Sequence, residues 1–328
     1  METRRLGSTD LHLTTLGIGT WAIGGDGWRF GWGSQDEGDS VRAVVHGVEL
    51  GINWIDTAAV YGNGRAEEMV GQALRPIPAS RRPIVATKCG RIIQPDGGVS
   101  GRLTRESVTA ECEASLRRLG LETIDLYQIH WPDPDAQIEE AWRTLEDLRR
   151  AGKIRYAGVS NHSVAQMDRL HGSHPIASLQ PPYSLFAREV EAEVLPYCGR
   201  HQIGVVAYSP MAKGLLTGTF TRERAAALPE NDHRSRDPKF LPPQREINLQ
   251  FVEALRPLAD RHGRSVGELA IAWVLRRPEV TSAIVGARRP EQLDGVVGAA
   301  GWNWDPADLA FIDERLQARD AALRAAIA

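Results

Sequence analysis

The chain has 328 residues, 42% of them hydrophobic and 25% charged, which is the make-up of an ordinary globular protein with room for one large core. A formal net charge of −3 gives no bulk attraction to nucleic acid or to an anionic membrane, so any anion site has to be local. Cys89, Cys112 and Cys198 are widely spaced and form no C-x-x-C, which argues against a disulfide framework and a zinc knuckle. The opening METRRLGSTDLHL lacks the apolar run of a signal peptide, and no stretch reaches the ~18 uncharged apolar residues of a membrane span. A reducing cytoplasm is the expected setting.

In chain order, residues 11 to 20 read as strands, and 40 to 50 repeats apolar residues at helical spacing before Gly51 stops it. The strand INWIDT follows. The same unit then recurs: a helix near 66 to 74 with strand 83 to 88, a helix from 105 to 119 with strand 123 to 131, and a helix from 137 to 150, closed by Gly152, with strand 154 to 161. A short helix through Met167 leads to strand ASLQPPYS, a helix from 190 to 200 to strand IGVVAYSP, and helices at 248 to 262 and 265 to 276 to strand TSAIVGAR. A last helix, 306 to 316, packs outside the repeat. The strands are short, apolar and bounded by Gly, Pro, Asn or Asp, as parallel strands covered on both faces are. About eight such units without a composition break favour a single (β/α)₈ barrel domain spanning 1–328 over an open sheet. The stretch from 217 to 246, rich in Arg and Pro, is too long for a plain connection and reads as a mobile functional loop after strand seven.

In such a barrel the chemistry lies where the strands end. Strand two ends in Asp56, with Tyr61 five residues on; strand three ends in Lys88; strand four ends in His130. A phenol is a weak acid at neutral pH, and an ammonium beside it favours the phenolate, so Lys88 is expected to make Tyr61 a better proton donor. Asp56 would keep Lys88 charged, and a neutral His130 would orient a carbonyl by a hydrogen bond. Each residue alone has a plainer explanation: a helix cap, a surface aromatic, a rim lysine, a satisfied buried histidine. Four together at successive strand ends outweigh those explanations.

The stretch DTAAVYGNGRAEEMVG, Lys88 after an apolar strand and the IHW of 129 to 131 resemble the aldo-keto reductase signatures. GVSN (158 to 161), SLQPPYSL, AYSPMAKGLLTG and GARRPEQLDG continue the resemblance in the family's order, which is similar to the bacterial stress-protein and inositol-related branch. The resemblance implies a (β/α)₈ TIM barrel with an N-terminal β-hairpin and extra C-terminal helices. It implies carbonyl reduction by NADPH, with Asp56, Tyr61, Lys88 and His130 as the catalytic group. Ser160, Asn161 and Gln180 would hold the nicotinamide carboxamide, and Tyr208 would stack on its ring. Ser209, Pro210, Lys213, Gly214 and Leu215 would meet the pyrophosphate, and Gly286, Arg288 and Gln292 the adenosine end. Where the animal enzymes have a lysine and a serine for the 2′-phosphate, this chain has Gly286 and Ala287, leaving Arg288 and Arg289 for that task.

Trp28, Phe30 and Trp32 crowd a Gly-rich loop and cannot all face a core, so Trp21, Trp28 and Trp131 are expected as an apolar substrate wall. Arg234, Arg236 and Lys239 read as solvated, with a clamp over the phosphates as the other reading. Gly17, Gly19 and Ala22 mimic a dinucleotide fingerprint, but no helix follows, so they read as a tight strand exit. His130, Asp133 and Asp135 are read as part of a stiff Pro-rich turn rather than a metal site. A second functional class, a slow NADPH-binding sensor similar to the potassium-channel β subunits, is the alternative. The substrate, the direction of reaction and the oligomeric state are not legible.

Overall fold

The computed structural model describes residues 1–327. Its strands are β1 (Thr3–Arg5), β2 (His12–Thr14), β3 (Leu16–Gly19), β4 (Trp54–Asp56), β5 (Ile84–Cys89), β6 (Arg91–Ile93), β7 (Val99–Gly101), β8 (Ile124–Ile129), β9 (Ile154–Ser160), β10 (Ser178–Gln180), β11 (Gly204–Tyr208) and β12 (Val280–Gly286). Eight of them, β3, β4, β5, β8, β9, β10, β11 and β12, close into a parallel barrel when β12 pairs back onto β3. The expected (β/α)₈ architecture is therefore present, with β1 and β2 as an antiparallel hairpin before it.

Alternation along each strand sorts the side chains into two cores. Ile18, Ile55, Val85, Tyr127, Val159, Leu179, Val205 and Val285 point outward and pack under the helices. The inward set is smaller: Trp54, Ala86, Leu126, Val206 and Ile284, closed from below by Leu6, Leu11 and Leu13 of the hairpin region. Trp54 lies so close to β3 that a Cβ on Gly17 would sit 2.1 Å from the indole. This close approach, not a phosphate, is why the fingerprint-like glycine is there. The next inward residue on each strand, toward the C-terminal end, is polar or small: Gly19, Asp56, Lys88, Gln128, Ser160, Gln180, Tyr208 and Gly286.

The surrounding helices begin where the sequence offers caps. Asp36 accepts from the Asp39 amide at the start of Glu37–Glu49, and Ser163 and Ser265 form capping boxes with Gln166 and Glu268. The expected helix from 190 to 200 is shorter, Val194–Arg200, preceded by a 3₁₀ turn, Glu189–Glu191. The final helix runs past 316, from Pro306 to Ile327. Strand β10 stops at Gln180 because Pro181 and Pro182 cannot donate to the ladder.

Two features of the barrel mouth depart from expectation. After β5 the chain makes the β6–β7 hairpin, with Arg91 opposite Gly101, in a stretch to which the sequence assigned no element. The stretch from 217 to 246 is folded as a strap rather than a loose loop, with helical turns Arg222–Ala226, His233–Arg236 and Pro238–Phe240. It is tied to the first βα loop: Trp32 bridges Asp232, the His233 amide donates to the Gly31 carbonyl at 2.9 Å, and the Arg236 guanidinium donates to the Arg29 carbonyl at 2.9 Å.

Candidate active site

Three strand ends converge on one buried polar chain. Lys88 Nζ donates to Asp56 Oδ1 at 2.7 Å, to the Thr57 carbonyl at 2.9 Å and to Tyr61 Oη at 3.4 Å. Asp56 Oδ2 accepts from Gln180 Nε2 at 2.8 Å. The His130 ring stands edge-on to Tyr61, with centroids 5.7 Å apart. Burial pushes the Asp56 carboxyl up and the Lys88 ammonium down from their ordinary values, and their mutual attraction counters both shifts. The bonds they exchange belong to a charged pair.

Burial first, and then the Asp56 charge, pushes the Tyr61 phenol well above its ordinary value. The expected acidifying influence of Lys88 does not prevail here, because the ammonium contact is long and the Asp56 charge opposes it. Tyr61 therefore keeps its proton, which is the state a proton donor starts from. Burial, Lys88 and Arg91 hold the His130 imidazole well below its ordinary range, so it is neutral.

A second set of hydrogen bonds fixes the neighbouring strand ends. Ser160 Oγ donates to the Gln180 carbonyl at 2.8 Å; Asn161 Nδ2 donates to Ser160 Oγ and to the His130 carbonyl at 2.9 and 3.0 Å; Tyr208 Oη donates to Asn161 Oδ1 at 2.9 Å. Asn161 adopts φ +62°, a left-handed geometry that asparagine tolerates better than most side chains.

These groups open into a cavity of about 910 Å³ that runs from Tyr61, His130 and Trp131 past Tyr208, Ser209, Pro210, Lys213 and Gly214 to Gly286, Arg288 and Gln292. Trp21, Trp28 and Phe30 of the Gly-rich loop and its approach border it too. Leu215 is the exception among the residues expected at the phosphates: it is fully buried in the core and does not border the cavity. Arg234, expected in solvent, is buried and paired with Asp232 at 2.6 Å, while Arg236 and Lys239 are exposed. Arg288 donates to Gln35 Oε1 at 2.5 Å, to the Trp32 carbonyl at 3.1 Å and to the Ser34 carbonyl, and Gln292 Oε1 accepts from the Arg288 amide at 2.7 Å. Asp133 and Asp135 pair with Arg91 and Arg169.

A family model described as the aldo/keto reductase family matches residues 15–317. The chain belongs to that family. It is 39% identical over 318 residues to an aldo-keto reductase of Bacillus subtilis, covering 97% of this chain and 94% of the relative. It is 35% identical to an NADH-specific methylglyoxal reductase of Escherichia coli, over 95% of this chain and 98% of that one. A solved glycerol dehydrogenase of Gluconobacter oxydans superposes with a TM-score of 0.87 at 41% identity, over 97% and 95% of the two chains. The chain is thus an aldo-keto reductase in fold and family, an oxidoreductase lineage that uses a nicotinamide cofactor for carbonyl chemistry. No helix among the described residues is long and apolar enough to cross a membrane.

The cavity of this aldo-keto reductase suits an extended dinucleotide by its donor chemistry. Ser160, Asn161 and Gln180 gather near Tyr61, held there by their bonds to one another, to Asp56 and to the His130 carbonyl, and Lys213, Arg224, Arg234 and Arg288 bring cations farther along the cavity. Sequence reasoning missed Thr57, whose carbonyl holds Lys88, and Arg91 and Val99, which the β6–β7 hairpin brings to the cavity. The turn signal Pro95-Asp96-Gly97-Gly98 between two short β-branched runs was the available clue.

Proposed function

We propose that this aldo-keto reductase reduces aldehydes or ketones to alcohols with NADPH, and that Tyr61 donates the proton. The observation that carries the reading is the buried Asp56–Lys88–Tyr61 chain facing neutral His130 at one end of the cavity. The bound nicotinamide supplies the hydride, and Ser160, Asn161 and Gln180 would hold its carboxamide beside Tyr208. As charge builds on the carbonyl oxygen, Tyr61 delivers its proton, and the adjoining Lys88 ammonium stabilises the phenolate left behind. His130, neutral, offers the same oxygen a hydrogen bond without adding a charge. The Trp21, Trp28 and Trp131 wall keeps water away and shapes the pocket.

The preference for NADPH rests on the crowding of arginines near the cavity's far end. Arg224, Arg288 and Arg289 act on one another through their charges there, while Arg234 beside them is already paired with Asp232 at 2.6 Å. A 2′-phosphate would relieve that repulsion. Arg288 is already engaged by the 32–35 loop, so Arg289 and Arg224 are the free candidates to meet it.

Tyr61→Phe is expected to lower turnover of an aromatic aldehyde by two or more orders of magnitude while nucleotide binding, followed by fluorescence, stays within a few-fold, since general acid catalysis contributes about 10²- to 10⁴-fold. Unchanged turnover would overturn the assignment of the donor. The same titration with NADH decides the cofactor: equal or tighter NADH binding would overturn the NADPH preference.

A further inference from the structure

The substrate end of the cavity is walled by Trp28, Phe30, Val60, Val99 and Trp131, with one charged side chain among them, Arg91. Strand β5, which Arg91 follows, lies diametrically opposite β11 in the eight-strand barrel. Lys213 and Arg234, which border the cavity from the β11 side, are therefore across the mouth from it. Arg91 is near enough to His130 for its charge to act on the imidazole.

An arginine in an apolar wall needs partners for five N–H donors. Arg91 gives Nη1 to Asp133 Oδ2 at 2.6 Å, and its remaining donors have no partner among the described residues. Its side chain is 17% exposed, whereas that of Asp133 is 60% exposed, so the pair is lopsided: the carboxylate stands in water, while Arg91 is mostly covered and borders the cavity. The pair is not the hairpin's only tie to the Asp133 turn. Gly101 of β7 already packs on the same turn so closely that a Cβ there would fall 1.9 Å from the Asp133 carbonyl oxygen.

Resting on the reductase reading above, we infer that Arg91 fits this pocket to aldehydes or ketones that carry a carboxylate at the end remote from the reacting carbonyl. The aromatic wall takes the body of such a substrate, His130 and Tyr61 its carbonyl oxygen, and the unpaired edge of the guanidinium its anion. A forked guanidinium–carboxylate contact in an apolar setting gives selectivity as well as affinity. Asp133 competes for the same cation, so it weakens the site rather than building it.

The test compares 4-carboxybenzaldehyde with 4-methylbenzaldehyde, which has a similar shape and no charge. The expected result is a higher kcat/KM for the acid in the unaltered protein. Arg91→Met should lower the acid-to-methyl ratio of kcat/KM by about 10- to 100-fold, mainly through KM for the acid, the range of a charged hydrogen bond. Asp133→Asn should raise the ratio. A pair that merely fastens the hairpin gives another pattern, in which both variants move both aldehydes in the same direction and leave the ratio alone. That pattern overturns the inference, as does an unaltered protein that prefers the methyl compound. If neither aldehyde is turned over, the reductase reading fails separately. Calorimetric binding of 4-(hydroxymethyl)benzoate, weakened by Arg91→Met and strengthened by Asp133→Asn, then still decides whether the anion site exists, and unchanged binding in both variants overturns it.

Discussion

The Lys88 side chain is fully buried, and among the described residues its charge is held by Asp56, the Thr57 carbonyl and the Tyr61 hydroxyl. Removing one member of such a pair strands the other. Lys88→Met is therefore expected to destabilise the fold by ~3–5 kcal/mol, because Asp56 stays buried with only Gln180 to satisfy it. Urea unfolding measures this, and Lys88→Met combined with Asp56→Leu should recover part of the loss, since an apolar pair carries no stranded charge. Asp56 and Lys88 were legible in the sequence as polar residues closing short apolar strands, whereas Gln180 and Tyr208 came only from the family resemblance. Their hydrogen bonds were not legible. Asp56 turned out to serve Lys88 and Gln180 together, and burial, whose extent sequence does not reveal, pushes the Tyr61 phenol up.

The exit of β5 is governed by a carboxyl on the helix Arg105–Leu119. Glu111 accepts from the Gly90 amide at 2.9 Å and from Ser107 Oγ at 3.1 Å. Its burial raises its pKa to about 7. The folded protein therefore binds a proton that the unfolded chain releases near 4.5, so this group's contribution to stability is fully present below pH 4.5 and is lost as pH rises through 7. The loss is on the order of 3 kcal/mol. Glu111→Gln keeps an acceptor for Gly90 and does not titrate. Relative to the unaltered protein it should gain stability between pH 5 and pH 8, and parallel stability curves in chemical denaturation would refute this. The caps follow simpler arithmetic: Ser265→Ala removes the capping box of Val266–Leu275 and should cost about 1 kcal/mol at any pH in that range. Helices of this kind could be placed from caps and apolar spacing. The β6–β7 hairpin was hidden because three-residue strands give too little periodicity to register, and with it went Arg91.

For the molecule as a whole, the eight-fold repeat was evident in the sequence because each unit carries its own stop signals. The strap was not, since its fold depends on partners far away in the chain: Asp232 on Trp32, Lys213 on Asp237 at 2.8 Å, Arg236 on the Arg29 carbonyl. Arg288, from the opposite side, holds the same first loop through Gln35, Trp32 and Ser34. The β6–β7 turn joins it as well, the Arg29 amide donating to the Gly97 carbonyl at 3.0 Å. Loops from β3, β5, β11 and β12 are thus knotted together over one mouth, and the hairpin β1–β2 closes the other end of the barrel. On the proposed reaction, Arg288→Ala should speed nucleotide release in stopped-flow fluorescence by several-fold while the chemical step, read from a single turnover, is little changed. An unaltered release rate would show that the knot does not gate the site. On the proposed reaction, time becomes a property of the fold: nucleotide and carbonyl would share this mouth, and the hydrogen bonds Arg288 makes to Gln35, Trp32 and Ser34 would set how long each visit lasts.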